Sequence, residues 1–205
     1  MAITTYDELK ASIANWLNRD DLTDAIPDFI ALAEAGINRS MKHWRMEERA
    51  TATLATQYEA LPARWISPIR LSLLGNPAYQ LEPVGQAEMT ALRGEDNTAG
   101  RPRYYCLTQG ELEFYPTPNS DYDLEMVYYE KPAALSDSNA SNWVLEHFPD
   151  IYLYGALIHS APYLADDQRA MAWATLYQTA LDVAIADGEN AKFGGSGLRM
   201  KVRAY

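Results

Sequence analysis

Glu146, His147 and Asp150 lie close together in the sequence and offer two carboxylates and an imidazole, donor types that bind metal ions. A metal centre needs further ligands at defined geometry, so a charged, well-capped helix start is the favoured reading of that cluster. His147 and His159 stand 12 residues apart, about 120° around a helix, and do not share a face. His43 follows Lys42 and reads as a cation at a helix C-terminus rather than as a base. Glu111/Glu113 and Asp123/Glu125 are spaced so that each pair lies on one strand face. Glycosidases set two carboxylates across a cleft, although a solvated strand face has the same spacing. Ser136 and Ser196 have no histidine–aspartate pattern beside them, and GGSGLR matches neither a phosphate loop nor a nucleophile elbow. Cys106, between Tyr105 and Leu107, reads as a small core residue. The chain thus carries no catalytic signature, no cofactor motif and no metal pattern.

The elements that would position such groups fall into three stretches. Thr5-Tyr6-Asp7-Glu8 is a capping box, and the helix after it puts Leu9, Ile13 and Trp16/Leu17 on one face. A longer helix starts near Pro27 with the stripe Ile26, Ile30, Ala33, Ile37, Met41 and Trp44. Arg39, Lys42, His43 and Arg45 fall in its last turns. Gly36 inside it costs ~1 kcal/mol against alanine and implies a close backbone contact or a locally weak helix. From Arg49 the period becomes two. ATATLAT and WISPIRLSL read as strands, 79–83 as a short edge strand, and 85–93 as a short helix. Residues 103–108 and 111–115 form a hairpin around Gln109-Gly110, followed by a strand over 122–130. Residues 143–187 then read as an antiparallel helical hairpin. Its second helix is apolar on two stripes (Ala170, Ala174, Tyr177, Leu181, Ala184 and Trp173, Leu176, Ala180, Val183), so it is expected to pack on its hairpin partner and on another element.

The expected fold is α+β: a helical bundle from both chain ends (1–47 plus 142–193), a β-rich insertion (48–141) and an extended C-terminal tail (194–205). Neither pair of helices buries its stripes alone, which joins first and last helices. At 205 residues, 48% hydrophobic and 22% charged, the composition is that of an ordinary globular protein. No run reaches the ~18 apolar residues of a membrane span, and no basic-then-apolar leader opens the chain. The expectation is a soluble chain, unexported by its own signals. The net charge of −11 argues against a nucleic-acid-binding surface over the whole protein. Residues 191–205 hold Lys192, Arg199, Lys201 and Arg203 and no acid. Taking those four cations out of −11 leaves −15 on the remainder. Leu198, Met200 and Val202 alternate with Arg199, Lys201 and Arg203 after a glycine-rich hinge. That strand pattern suggests addition to a partner's sheet edge or groove.

Several phrases resemble one protein family throughout. FPDIYLYGALIHSAPYL followed by DDQRAMAWATLYQTAL, together with IPDFIALAEAGINRSMKHWRME, GRPRYYCLTQGELEFYPTP and YDLEMVYYEKPAALSD, resembles the head-to-tail adaptor (connector) proteins of tailed bacteriophages. The resemblance covers nearly the whole chain. It implies a structural virion protein of the neck, assembled in the host cytoplasm, with no enzymatic activity, no cofactor and no metal. It implies a ring, dodecameric like the portal it meets, between the portal protein and a tail or nozzle protein. DNA would pass through the lumen without specific binding, past acidic surface that repels phosphate. It further implies that the portal is contacted by the tail: Gly194, Gly195, Ser196, Gly197, Leu198, Arg199, Met200, Lys201, Val202, Arg203, Ala204 and Tyr205. The competing expectation is a stand-alone carbohydrate-binding or glycoside-hydrolase-like module using the tyrosine-rich β segment and its carboxylates. That reading leaves the tail and the last helix unexplained.

Overall fold

The structure, a computed structural model, describes residues 3–164 and 167–194, without the side chains of 167, 168 and 193. Two compact units divide the chain, Glu47–Lys131 and the flanking Met1–Met46 with Pro132–Tyr205.

In the flanking unit, α1 (Tyr6–Leu17) opens on the capping box: the Thr5 hydroxyl accepts from the Glu8 amide, and the Glu8 carboxylate accepts from the Thr5 amide. It ends on Asn18 in the left-handed conformation. Helix α2 (Ile26–Ser40) has proline in its first turn. It stops four residues short of the expected end, because Met41 is already extended and the chain then turns through a short 3-10 segment, Trp44–Met46. After α4 (Trp143–His147), capped by the Asn142 side chain, come α5 (Pro149–Leu164) and α6 (Asp167–Phe193).

Helix α5 is the hub of this unit, buried through Ile151, Tyr152, Leu153, Ala156, Leu157 and Ala161. Trp16 of α1 meets Tyr154 edge-on at 5.9 Å, and Phe29 of α2 meets Tyr163 at 5.5 Å. Tyr177 of α6 fills a notch between α2 and α5. A methyl at Gly36 would lie 3.4 Å from its hydroxyl oxygen, and one at Gly155 would lie 3.2 Å from its ring and 3.0 Å from the Ala33 methyl. Gly36 is therefore a close-contact position rather than a weak point.

The other unit is a two-sheet sandwich. One sheet has the order β1 (Glu47–Leu54), β8 (Tyr122–Glu130), β3 (Trp65–Leu73), β4 (Tyr79–Gln80). The other has β2 (Tyr58–Ala60), β7 (Glu111–Tyr115), β6 (Tyr104–Thr108), β5 (Glu82–Pro83). Alternation sends Leu54, Leu71, Leu73, Leu124 and Met126 from the first sheet inward to meet Tyr105, Leu112 and Phe114 from the second. The expected single strand over 79–83 is two short ones that join different sheets, with buried Leu81 at the change. The Gln109-Gly110 turn has positive φ at both residues, 47° and 88°, as a tight hairpin requires. Helix α3 (Gln86–Glu95) lies on the outer face of the second sheet, where Met89 packs with Cys106 and Tyr115.

The expected helical bundle from both chain ends is therefore corrected. The chain is mixed α+β with six α-helices and two sheets among its described residues, and its β-rich part is central in the sequence. One helix, α3, belongs to that central part. The others are layered on α5 rather than drawn around a shared bundle core. The expected extended tail beyond Gly194 lies outside the described residues.

Candidate functional site

The residues suited to chemistry are dispersed and occupied by local partners. Asp150 accepts from the Ile151 amide at 3.1 Å, Glu146 accepts from the Ser141 hydroxyl at 3.2 Å, and the His147 ring meets Phe148 edge-on. Among the described residues no group of three His, Cys, Asp or Glu side chains could hold a metal. Ser136 sits in a turn, bonded to Ser138 and to the Asn139 amide, and Ser196 lies outside the described residues. Burial pushes the Cys106 thiol up, and its sulfur faces Gln86, Thr108 and Glu113.

His43 departs from its expected role. It is buried, with its ring stacked 5.0 Å from that of Trp143 and edge-on to Phe148. A methyl at Gly188 of α6 would stand 2.8 Å from the imidazole. The Arg45 amide donates to Nδ1 at 3.2 Å, which leaves Nε2 as the protonated nitrogen facing Asp187 at 3.4 Å. Burial lowers its pKa, against the pull of Asp187. A neutral imidazole that locks the 3-10 turn under α6 replaces the helix-terminal cation.

The paired carboxylates are not a solvated face either. Glu111 is exposed, but Glu113 is 4% exposed under α3. There Arg93 Nε donates to it at 2.7 Å and Gln57 at 3.1 Å. Burial alone would raise the Glu113 carboxyl, but Arg93 and Gln57 outweigh it and hold it below its ordinary value. On the other sheet Glu125, 8% exposed, lies between Arg49 Nε at 2.7 Å and Arg70 at 2.6 Å. The Arg49 hydrogen bond is the main cause of its lowered pKa. Each carboxylate thus ties strands or a helix together.

Arg93 also donates to the Phe114 carbonyl at 2.7 Å, so Arg93→Ala strands a buried carboxylate and a carbonyl together. We expect a loss of about 3 kcal/mol, measured by urea unfolding at pH 7. Because the Glu113 carboxyl is held down in the folded state, its contribution is fully present above the unfolded value, about pH 4.3. It fades as pH falls through the lower folded value.

A third polar cluster is not foreshadowed by any local pattern. Tyr152 donates to Glu34 at 3.1 Å and accepts from Asn142 at 2.8 Å, while Glu34 also accepts from the Leu135 amide. Burial raises the Glu34 carboxyl. The cluster ties α2, α5 and the segment before α4 together, and its residues lie too far apart in sequence for any motif to reveal it.

What stays open is a surface. Helix α6 turns Trp173, Ala180, Leu181, Ala184 and Gly188 inward. The expected second stripe is split: its Trp173 and Ala180 are buried, whereas Leu176 is 42% and Val183 59% exposed; on another side of the helix Met171 is 78% exposed. The polar groups of this side are already bonded along the helix. Thr175 donates to the Met171 carbonyl, Thr179 to that of Thr175, and Gln178 to Asp182. Desolvating such groups leaves few of them unpaired. Of the twelve tail residues only Gly194 is described, its amide donating to the Asn190 carbonyl at 2.7 Å; Gly195 to Tyr205 lie outside the described residues.

No curated protein matches the chain. The family model described as SU10 adaptor protein matches residues 4–200. With nearly its whole length matched, and with its side-chain clusters serving the fold, the chain belongs to the SU10 adaptor family, a family of phage head-to-tail adaptors, as a structural protein.

Proposed function

We propose that the protein closes into a ring, dodecameric to match the portal, between the portal and the tail or nozzle of the particle. The ring encloses the channel through which DNA passes. The observation that carries this reading is α6: a 27-residue helix of an adaptor chain that buries Trp173, Ala180, Leu181 and Ala184 and presents Leu176 and Val183, which share a face, to solvent. A heterologous contact of that face with a neighbour, repeated by a rotation that closes, generates a ring. The net charge of −11 suits a lumen that must let phosphate slide. Residues 194–205 carry the attachment to the portal, with apolar Leu198, Met200 and Val202 on one side and Arg199, Lys201 and Arg203 on the other. Assembly takes place in the host cytoplasm, and the finished protein sits in the virion neck.

The test is complementation in vitro. DNA-filled heads made without this protein should fail to join tails, and purified protein should bind the heads and restore joining. Heads that join tails equally well without it contradict the reading.

A further inference from the structure

We propose that His43 is an acid-sensitive latch: neutral, it clasps the C-terminal part of α6 to the turn that follows α2, and protonated, it releases it. The ground for this is an enclosed imidazole with both nitrogens committed. Its side chain is fully shielded from solvent. Trp143 stacks on it at 5.0 Å, Trp44 lies tilted at 5.8 Å and Phe148 stands edge-on at 5.9 Å. The backbone of Gly188 comes so close that a methyl on it would lie 2.8 Å from the ring. Nδ1 accepts from the Arg45 amide at 3.2 Å. A second proton has to sit on that nitrogen, because Nε2 already carries the first toward Asp187. Protonation therefore turns the acceptor of the Arg45 amide into a donor that faces it.

It also creates a charge where water has no access, which is costly without a good partner. The charged groups around the ring are Asp187 from α6, Arg45 from its own turn and His147 from α4, with Lys42 next to it in the chain. Of these only Asp187 favours the imidazolium. It faces Nε2 at 3.4 Å but is 61% exposed, so solvent screens it. Burial prevails and lowers the His43 pKa.

The element that answers is the end of α6. Among the described residues Gly188 is the last buried one of this helix, and Glu189, Asn190, Ala191 and Lys192 are exposed. The His43–Gly188 contact is thus the last buried attachment before residues 195–205. Above the ordinary imidazole value, about pH 6.5, neither the closed nor the open form is protonated and the latch is shut. As pH falls below it, the open form binds a proton that the closed form refuses, so opening gains until the lower closed-form value is passed.

Hydrogen–deuterium exchange of the full-length protein, corrected for intrinsic rates, tests this at about pH 8 and about pH 5.5, either side of the ordinary imidazole value. Amides of 184–192 should lose protection at least about tenfold at the lower pH, while those of α5 keep theirs. His43→Asn and His43→Phe do not titrate; the first keeps an acceptor near the place of Nδ1 and the second keeps the ring. In each, protection of 184–192 relative to α5 should be the same at both pH values, whatever its level. His147→Gln should keep the response. Gly188→Ala should open the latch already at the higher pH, although alanine favours helix. Equal protection of the unmodified protein at both pH values overturns the latch, as does undiminished protection in Gly188→Ala. A pH response that survives in either His43 variant, or vanishes in His147→Gln, overturns its assignment to His43.

Discussion

Aspartate at Leu176 and Val183 together is expected to leave a folded chain that no longer assembles into a ring. In the single chain both side chains are 42% or more exposed, so the fold should lose no more than about 1 kcal/mol. In a subunit contact each would contribute about 1.5–3 kcal/mol by burial, and a carboxylate desolvated there without a partner costs several kcal/mol more. Every interface of the ring carries the defect, so the loss is repeated at each step of closure. Size-exclusion chromatography with light scattering should show a monomer with an unchanged far-ultraviolet dichroism spectrum. Leu181→Asp is the contrast: that side chain is 4% exposed, and its replacement should unfold the α5–α6 layer. A double variant that still forms rings would place the subunit contact elsewhere.

Ending the chain at Gly194 is expected to abolish attachment to portal-containing capsids with little effect on melting temperature. Ordering a free terminus costs about 1–2 kcal/mol per residue, which three buried apolar side chains offset only in part at about 1.5–3 kcal/mol each. A single tail should bind weakly, and a ring of tails tightly by multivalency. Reversing the charge of Arg199, Lys201 and Arg203 should weaken the attachment, and that of the unmodified protein should decline with added salt. Shortened protein that still sediments with capsids at full occupancy would place the portal contact in the described part of the chain.

Local signals carried the reading where local chemistry decides. The Thr5–Glu8 box and the Gln109-Gly110 turn are set by residues adjacent in sequence, and both are where the sequence puts them. The end of α2 was not legible, because Met41 and Trp44 continue the apolar spacing and neither glycine nor proline marks the stop. His43 is claimed by Trp143, Phe148 and Gly188, more than 90 positions away. Period-two spacing assigned Glu113 to a face but not its cover, which comes from Arg93 on α3. The apolar spacing of α6 is visible in the sequence, yet it does not say that the chain covers Trp173 and Ala180 while leaving Leu176 and Val183 of the same stripe exposed. The error in the bundle has the same origin: stripes show that helices pack, and α5 as their common support emerges only in three dimensions.

The central claim is tested most directly by imaging necks isolated from particles, with the protein identified by mass. The account predicts a closed ring of identical copies against the portal, with the exposed α6 face of each copy on its neighbour and the DNA channel through the centre. A monomer or a two-fold dimer at that position, or a ring in which Leu176 and Val183 remain in solvent, would contradict it.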